Sequence, residues 1–361
     1  MKLSMVVTPP TETRLRALRQ LGGDYAVHYD MHDLTDDLHA LRAIRDGYER
    51  AGLPWKVSES GPAIDRIVLG KEGAAQQTER YKRIIGSLGT LGVEVVAYNF
   101  MPQVSEDAMV VRTTFNAEAR GRARTSGFRL ADVGPQTMPH NEASVPREQM
   151  WDNLERFLAA VIPAAEAAGV RLAMHPDDPP LSPLCGLERI MDRVASFDRL
   201  VAISSSPANA MTFCVGCFAE MGADIVGLVE RYRDRIPYVH VRDIAGPAED
   251  FVETFPDEGQ TDLVAVFRKL HEIAFDGYLR SDHAPVLATE DSDALDGYAM
   301  QGHIFASGSC VVSIAPRRPL GARGDSGAFD PPDPGGLAKT LDGQRQNRDA
   351  VSQPVGRLSY E

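Results

Sequence analysis

Arg171-Leu172-Ala173-Met174-His175-Pro176-Asp177-Asp178-Pro179-Pro180 is the stretch that decides how this chain folds. A short apolar, strand-like run gives way to a histidine, two carboxylates and three prolines. Each proline lacks an N–H and biases its predecessor to extended geometry, so no helix continues past His175. His175 therefore stands where a strand passes into a stiff loop, the place from which a parallel barrel presents its reactive groups. Taken alone, the same residues also fit a turn around a capped histidine. Three later strand-like runs that end in the same way favour the barrel.

Upstream, strand-like runs alternate with amphipathic helical patterns, the mark of βα units and a parallel sheet. Lys2–Thr8, Tyr25–Tyr29, Trp55–Ser58 (ending at Glu59) and Val93–Phe100 read as four strands. Helices are expected between them at Thr11–Leu21, Thr35–Ala51 and about Ala75–Leu91. After Asn99-Phe100-Met101-Pro102 the pattern lapses until about Val145. A connection of roughly 45 residues predicts a lid, a binding loop or a disordered segment. Pro146–Ala168, closed by Gly169, is the strongest helix and leads to a fifth strand, Val170–Met174. A helix over Gly186–Phe197 and an apolar run Leu200–Ser204 follow. Further strands are expected at Ala210–Cys214, Ile236–Val241 and Gly277–Asp282, with helices at about Ala223–Tyr232 and at Asp262–Ile273. Eight such strands predict a TIM (β/α)8 barrel over residues 1–316, with a long active-site loop after strand four. No Gly-x-Gly-x-x-Gly follows the first strand, which leaves a dinucleotide fold without support. From about Arg317 the residues are Gly, Pro, Asp, Arg and Gln without apolar periodicity, so 317–361 reads as a disordered tail.

Composition narrows the partners. Of 361 residues, 43% are hydrophobic and 25% charged, as in soluble globular proteins. A net charge of −13 with no offsetting basic patch argues against nucleic acid. No apolar run approaches the roughly 20 residues that span a bilayer, and the first residues lack signal-peptide character, so a cytoplasmic protein without a membrane partner is expected. Cys185, Cys214, Cys217 and Cys310 are too few and too scattered for a disulfide scaffold. Cys214-Val215-Gly216-Cys217 has redox-motif spacing, but it lacks the early βαβ context of a redox site and the second pair of a structural zinc site.

The ends of strands five to eight carry His175, Cys214, His240 and Asp282. In a barrel these ends converge on one mouth. Two imidazoles, a thiolate and a carboxylate suit a borderline divalent ion such as Mn²⁺, Fe²⁺, Co²⁺ or Zn²⁺ better than Mg²⁺ or Ca²⁺, which prefer oxygen shells. Each residue alone has a plain structural alternative: a buried apolar cysteine, a core histidine, a helix-capping aspartate. Four at equivalent positions are harder to explain that way.

Glu59-Ser60-x-Pro62, Tyr98-Asn99-Phe100-Met101-Pro102, Arg112-Thr113, His175–Pro180, Thr212-Phe213-Cys214-x-Gly216 and Tyr238-Val239-His240-x-Arg242 carry a resemblance, as do Phe251-x-Glu253, Gly259-Gln260-x-Asp262, Arg280-x-Asp282-His283 and Gly297-Tyr298. In this order, over about residues 1–308, the chain resembles the mannonate dehydratase family. The resemblance implies a xylose-isomerase-like barrel that converts D-mannonate to 2-keto-3-deoxy-D-gluconate. It implies one divalent metal, Mn²⁺ or Fe²⁺ rather than Co²⁺ or Zn²⁺, on His175, Cys214, His240 and Asp282, with His283 and Tyr298 serving proton transfer. The sequence departs from the family at Val252 and Pro256, where histidines are usual, at Ser281 in place of proline, and in its Met5-Val6-Val7 opening. After Gly308 the expected closing helix is replaced by Ser309-Cys310-Val311-Val312 and the tail.

The chemistry suits such residues, because removing a proton beside a carboxylate needs electrostatic help and a paired acid and base. Arg112, Arg242 and Arg280 are candidates for binding the substrate carboxylate through a planar fork, with Asn99, Asp177 and Asp178 as further substrate or ligand-orienting groups. A sugar isomerase or epimerase acting on a neutral sugar, or a metal-binding inactive relative, would share much of this pattern. A homo-oligomer is expected from base rates alone.

Overall fold

Short runs of buried apolar residues pair in parallel and close on themselves. The computed structural model describes residues 1–7, 10–29, 34–59, 61–103, 109–134, 144–289 and 300–310, and the backbone of 311–314. Its strands are β1 (Lys2–Val6), β2 (Tyr25–Tyr29), β3 (Trp55–Glu59), β4 (Val95–Tyr98), β5 (Thr114–Glu118), β6 (Arg124–Arg129), β7 (Arg171–Met174), β8 (Asn209–Cys214), β9 (Tyr238–Val241), β10 (Asp243–Ala245), β11 (Asp250–Thr254) and β12 (Tyr278–Ser281). Eight of them form a closed parallel barrel in the order β1-β12-β9-β8-β7-β4-β3-β2. The expected TIM barrel is therefore present. Val6, Val27, Val57, Val95, Ala97 and Ala173 form one buried apolar cluster with Tyr238 and Tyr278. A larger cluster joins strand residues such as Met5, Val96 and Leu172 to residues on the surrounding helices.

Those helices are α1 (Glu12–Gln20), α2 (Leu38–Arg50), α3 (Asp65–Leu69), α4 (Ala74–Thr90), α5 (Arg147–Ala168), α6 (Val194–Ile203), α7 (Val215–Glu220), α8 (Ile225–Arg231), α9 (Leu263–Glu272) and α10 (Met300–Ile314). Local chemistry sets their ends. Thr11, Asp37, Asp224 and Asp262 cap α1, α2, α8 and α9 by accepting backbone N–H groups, and Gly169 closes α5 in the left-handed region at φ 68°.

Three expectations are corrected. The stretch after β4 contains a hairpin, β5–β6, which continues into β11 and β10 as a four-stranded antiparallel sheet. Its strands are polar and their partner β11 lies more than a hundred residues away, so local periodicity carries little of the signal. The helix placed at Gly186–Phe197 instead starts at Val194 and absorbs the apolar run as far as Ile203. A short apolar run cannot by itself tell strand from buried helix. The closing helix is also present: α10 runs through Ser309–Val312, and His303 on it pairs with Ser281 at the end of β12 (Nδ1 to Oγ, 2.7 Å). The tail 317–361 lies outside the described residues.

The α4–α5 contact gives a test of this packing. A Cβ on Gly89 would sit 2.3 Å from the Ala168 carbonyl oxygen. Ala favours helix by about 1 kcal/mol over Gly, yet this overlap with backbone is the larger effect. Gly89→Ala is expected to lower stability by about 1–3 kcal/mol, read as a lower denaturation midpoint; an unchanged midpoint would contradict the packing.

Candidate metal centre at the barrel mouth

The four strand-end residues meet at one end of the barrel. His175 follows β7, Cys214 ends β8, His240 lies in β9 and Asp282 follows β12, with Cys214 and Arg280 both in register with His240. One nitrogen, sulfur or oxygen atom from each lies within 4.8 Å of the others. Cys214, His240 and Asp282 are buried and His175 is half-buried.

Hydrogen bonds decide which nitrogen each imidazole turns inward. His175 Nδ1 is 2.7 Å from the Pro176 carbonyl, which only accepts, so Nδ1 carries the proton and Nε2 keeps a lone pair. His240 Nε2 is 2.7 Å from Glu59 Oε1, which leaves Nδ1 facing the cluster. The two inward nitrogens are 3.3 Å apart. His240 Nδ1 is 3.6 Å and Cys214 Sγ 3.8 Å from Asp282 Oδ2.

The electrostatics favour a cation here. Burial alone would protonate the Cys214 thiolate, but Cys217, Arg242 and the two histidines hold its pKa well below the usual thiol range. Burial and Arg280 oppose charge on His240, yet Asp282 and Glu59 outweigh them and push its pKa up to about 10. A pocket that draws an extra proton onto a buried imidazole has the potential to draw in a metal ion instead. The donor set and its fixed tautomers fit one divalent ion.

Glu59, at the end of β3, is a member that sequence reasoning missed. It accepts from His240, from Arg280 Nε at 2.7 Å and Nη2 at 2.8 Å, and from the Tyr238 hydroxyl. Burial would raise its pKa, but Arg280 and His240 bring it down to about 2, so it stays ionised and locks the His240 tautomer. A carboxylate closing an apolar strand was the available signal. Glu253 on β11 was missed as well. Its Oε1 is 2.7 Å from His283 Nδ1 and 2.8 Å from Arg112, while its Oε2 accepts from Ser126.

The three arginines expected to clamp a substrate have other partners. Every N–H of Arg112 is used: Nη1 and Nη2 fork onto Asp178 at 2.7 and 2.9 Å, and the rest meet Val111 O, Glu253 and Ser126 Oγ. Arg280 pairs with Glu59 and, at 2.8 Å, with Asp282 Oδ1. Arg242 lies 3.1 Å from Asp282 Oδ2 and 3.0 Å from Asp178 Oδ2. Each of the three orients buried carboxylates. Asp178 is thus an arginine partner. Asp177 turns away to accept the Met191 N–H at 2.7 Å, and burial raises its pKa to about 7. Asn99 follows β4 and is half-buried. Tyr298 lies outside the described residues. Strand alternation sets Val252, one of the departures, on the face of the accessory sheet opposite Phe251 and Glu253.

A cavity of about 580 Å³ opens elsewhere, lined by Lys2, Glu94, Arg171, Asp276 and Tyr278 among others. Lys2 pairs with Asp276 there and Arg171 donates to two backbone carbonyls, so its cations already have partners.

Comparison with known proteins identifies the family and the fold. A family model described as D-mannonate dehydratase (UxuA) matches residues 12–133 and 129–311. The mannonate dehydratase of Shouchella clausii (strain KSM-K16) is 30% identical over 302 residues, covering 74% of this chain and 84% of that protein. The crystal structure of mannonate dehydratase from Streptococcus suis serotype2 superposes with a TM-score of 0.79 at 28% identity, covering 87% of this chain and 94% of that one. A xylose isomerase domain protein from Alicyclobacillus acidocaldarius shares the fold at a TM-score of 0.57 and 14% identity, covering 87% and 98% of the two chains.

Binding should be linked to pH through His240. With its pKa near 10, the imidazole is protonated at neutral pH, and an incoming ion must displace that proton. Affinity for Mn²⁺ as a probe is expected to rise with pH below that value, about tenfold per unit for one proton released. Calorimetry in buffers of different ionisation enthalpy measures the proton directly, and pH-independent binding would contradict the site.

Proposed function

This chain belongs to the D-mannonate dehydratase family, and from that premise we propose that it dehydrates D-mannonate to 2-keto-3-deoxy-D-gluconate. The observation that carries the reading is the convergence of His175, Cys214, His240 and Asp282 on one point. These four would hold a divalent ion, Mn²⁺ or Fe²⁺ in this reading. When bound, the ion supplies Lewis-acid stabilisation of the charge that develops beside the substrate carboxylate.

The chain's own residues supply the protons. His283 follows Asp282 but turns its Nδ1 to Glu253, 2.7 Å away. Burial disfavours its charge, but Glu253 and Asp282 hold its pKa above the ordinary imidazole value. The shift favours the imidazolium, the form suited to protonate the departing C3 hydroxyl. Glu253 fixes the orientation of the ring through Nδ1. In this reading Tyr298 is the partner group that takes the C2 proton. The proposal also includes a homo-oligomer in the cytoplasm with a small sugar acid as ligand. Among the described residues no helix is long and apolar enough to cross a membrane.

Mn²⁺-loaded protein is expected to convert D-mannonate, and metal-stripped protein to be inactive. His283→Ala is expected to lose about 10²–10⁴-fold in turnover with metal content intact. No product from metal-loaded protein would contradict the reaction, and loss of metal from the variant would contradict the role of His283.

The sign of the pH effect follows from the raised pKa. The imidazolium persists below that value and is lost above it, so turnover falls on the alkaline side. Glu253→Gln removes the stabilising charge and should move this alkaline limb to lower pH. A limb that stays in place would exclude His283 as the acid.

A further inference from the structure

Arg242 follows β9, and its side chain is fully enclosed. One side of the guanidinium meets the candidate metal ligands: Nε is 3.1 Å from Asp282 Oδ2, an ion-pair contact without a hydrogen bond. The other is gripped from outside that cluster. Nη1 donates to Glu220 Oε1 at 2.8 Å, and Nη2 reaches Asp178 Oδ2 at 3.0 Å and Cys217 Sγ at 3.2 Å. Glu220 and Cys217 both belong to α7, which starts directly after the ligand Cys214. Gly216 on the same helix makes the space: a Cβ there would lie 2.6 to 2.7 Å from Arg242 Cγ, Cζ and Nη1.

Asp178, Cys217 and Glu220 bring one ligand atom each within 4.8 Å of the others, a grouping that elsewhere would suggest a second metal. Here the guanidinium occupies it as a fixed cation. Stability alone is a poor reason to keep such an arrangement. A buried carboxylate loses its hydration, and Glu220 Oε2 has no hydrogen-bond partner to make up for it. The arrangement makes better sense as a means of fixing Asp282.

We propose that Glu220 is a positioning residue: it holds Arg242 in the α7 socket so that Arg242 fixes the cluster-facing oxygen of Asp282, and thereby sets how tightly the divalent ion is bound. This rests on the metal reading given above. The role needs a hydrogen-bond acceptor at Oε1, so glutamine should serve and alanine should not.

The test is calorimetric titration with Mn²⁺ of wild type, Glu220→Gln, Glu220→Ala and Gly216→Ala, with thermal unfolding of each in the metal-free state. Wild type should bind one Mn²⁺ per chain, Glu220→Gln within about threefold of it, and Glu220→Ala about 10–100-fold more weakly, the usual effect of removing a group that orients a metal ligand. Gly216→Ala keeps Glu220 but displaces the guanidinium, so it should weaken binding alike; it decides the question if Glu220→Ala does not fold. A lowered unfolding temperature with wild-type affinity would overturn the proposal, leaving Glu220 a purely structural residue. Glutamine as weak as alanine would overturn it too, because charge rather than position would then matter. Wild type that binds no Mn²⁺ would instead bring down the metal reading itself.

Discussion

Everything at the barrel mouth depends on holding several electron-rich groups together where water is scarce. A thiolate, a carboxylate and two imidazoles lie within 4.8 Å of one another, and burial deprives the charged groups of hydration. The chain answers with positive charge placed around them. Arg280 and Arg242 meet the two oxygens of Asp282 at 2.8 and 3.1 Å, and Glu59 fixes both Arg280 and the His240 ring. A divalent ion held by these four residues would complete the balance at the centre. Arg112, Arg242 and Arg280 are tied to buried carboxylates by ion pairs.

The barrel supplies the positions and the accessory sheet supplies a further group. Parallel strands β7, β8, β9 and β12 bring their ends to one rim, so residues over a hundred apart in sequence become neighbours. The sheet β10-β11-β6-β5 carries Glu253 to His283 and Ser126 to Glu253. The β5–β6 hairpin is thus joined to the candidate site. Arg112, just before β5, ties it to Asp178 in the loop after β7 through a two-point ion pair. The contacts of Arg112 on Phe251 and of Phe128 on Phe251 pack the same sheet.

Much of this was legible in the sequence, for identifiable reasons. Strands such as Val95–Tyr98 are buried along their whole length and show as unbroken apolar runs. Prolines after His175 mark the strand end without ambiguity. The four ligand candidates were readable because the barrel topology turns equal strand-end positions into proximity. Glu59 and Glu253 were not, since a lone carboxylate looks alike on a surface and in a buried network. The β5–β6 hairpin was missed because its pairing with β11 is set by tertiary contact. The partners of the arginines were not legible for a related reason: residue type says a guanidinium can bind a carboxylate, but only the fold says which carboxylate.

The measurement that bears most directly on this account is X-ray absorption at the metal edge of the Mn²⁺-loaded protein. One sulfur scatterer together with nitrogen and oxygen scatterers, and loss of the sulfur in Cys214→Ser, is the predicted result. A shell of nitrogen and oxygen alone in the wild-type protein would mean that the ion does not sit on His175, Cys214, His240 and Asp282 together.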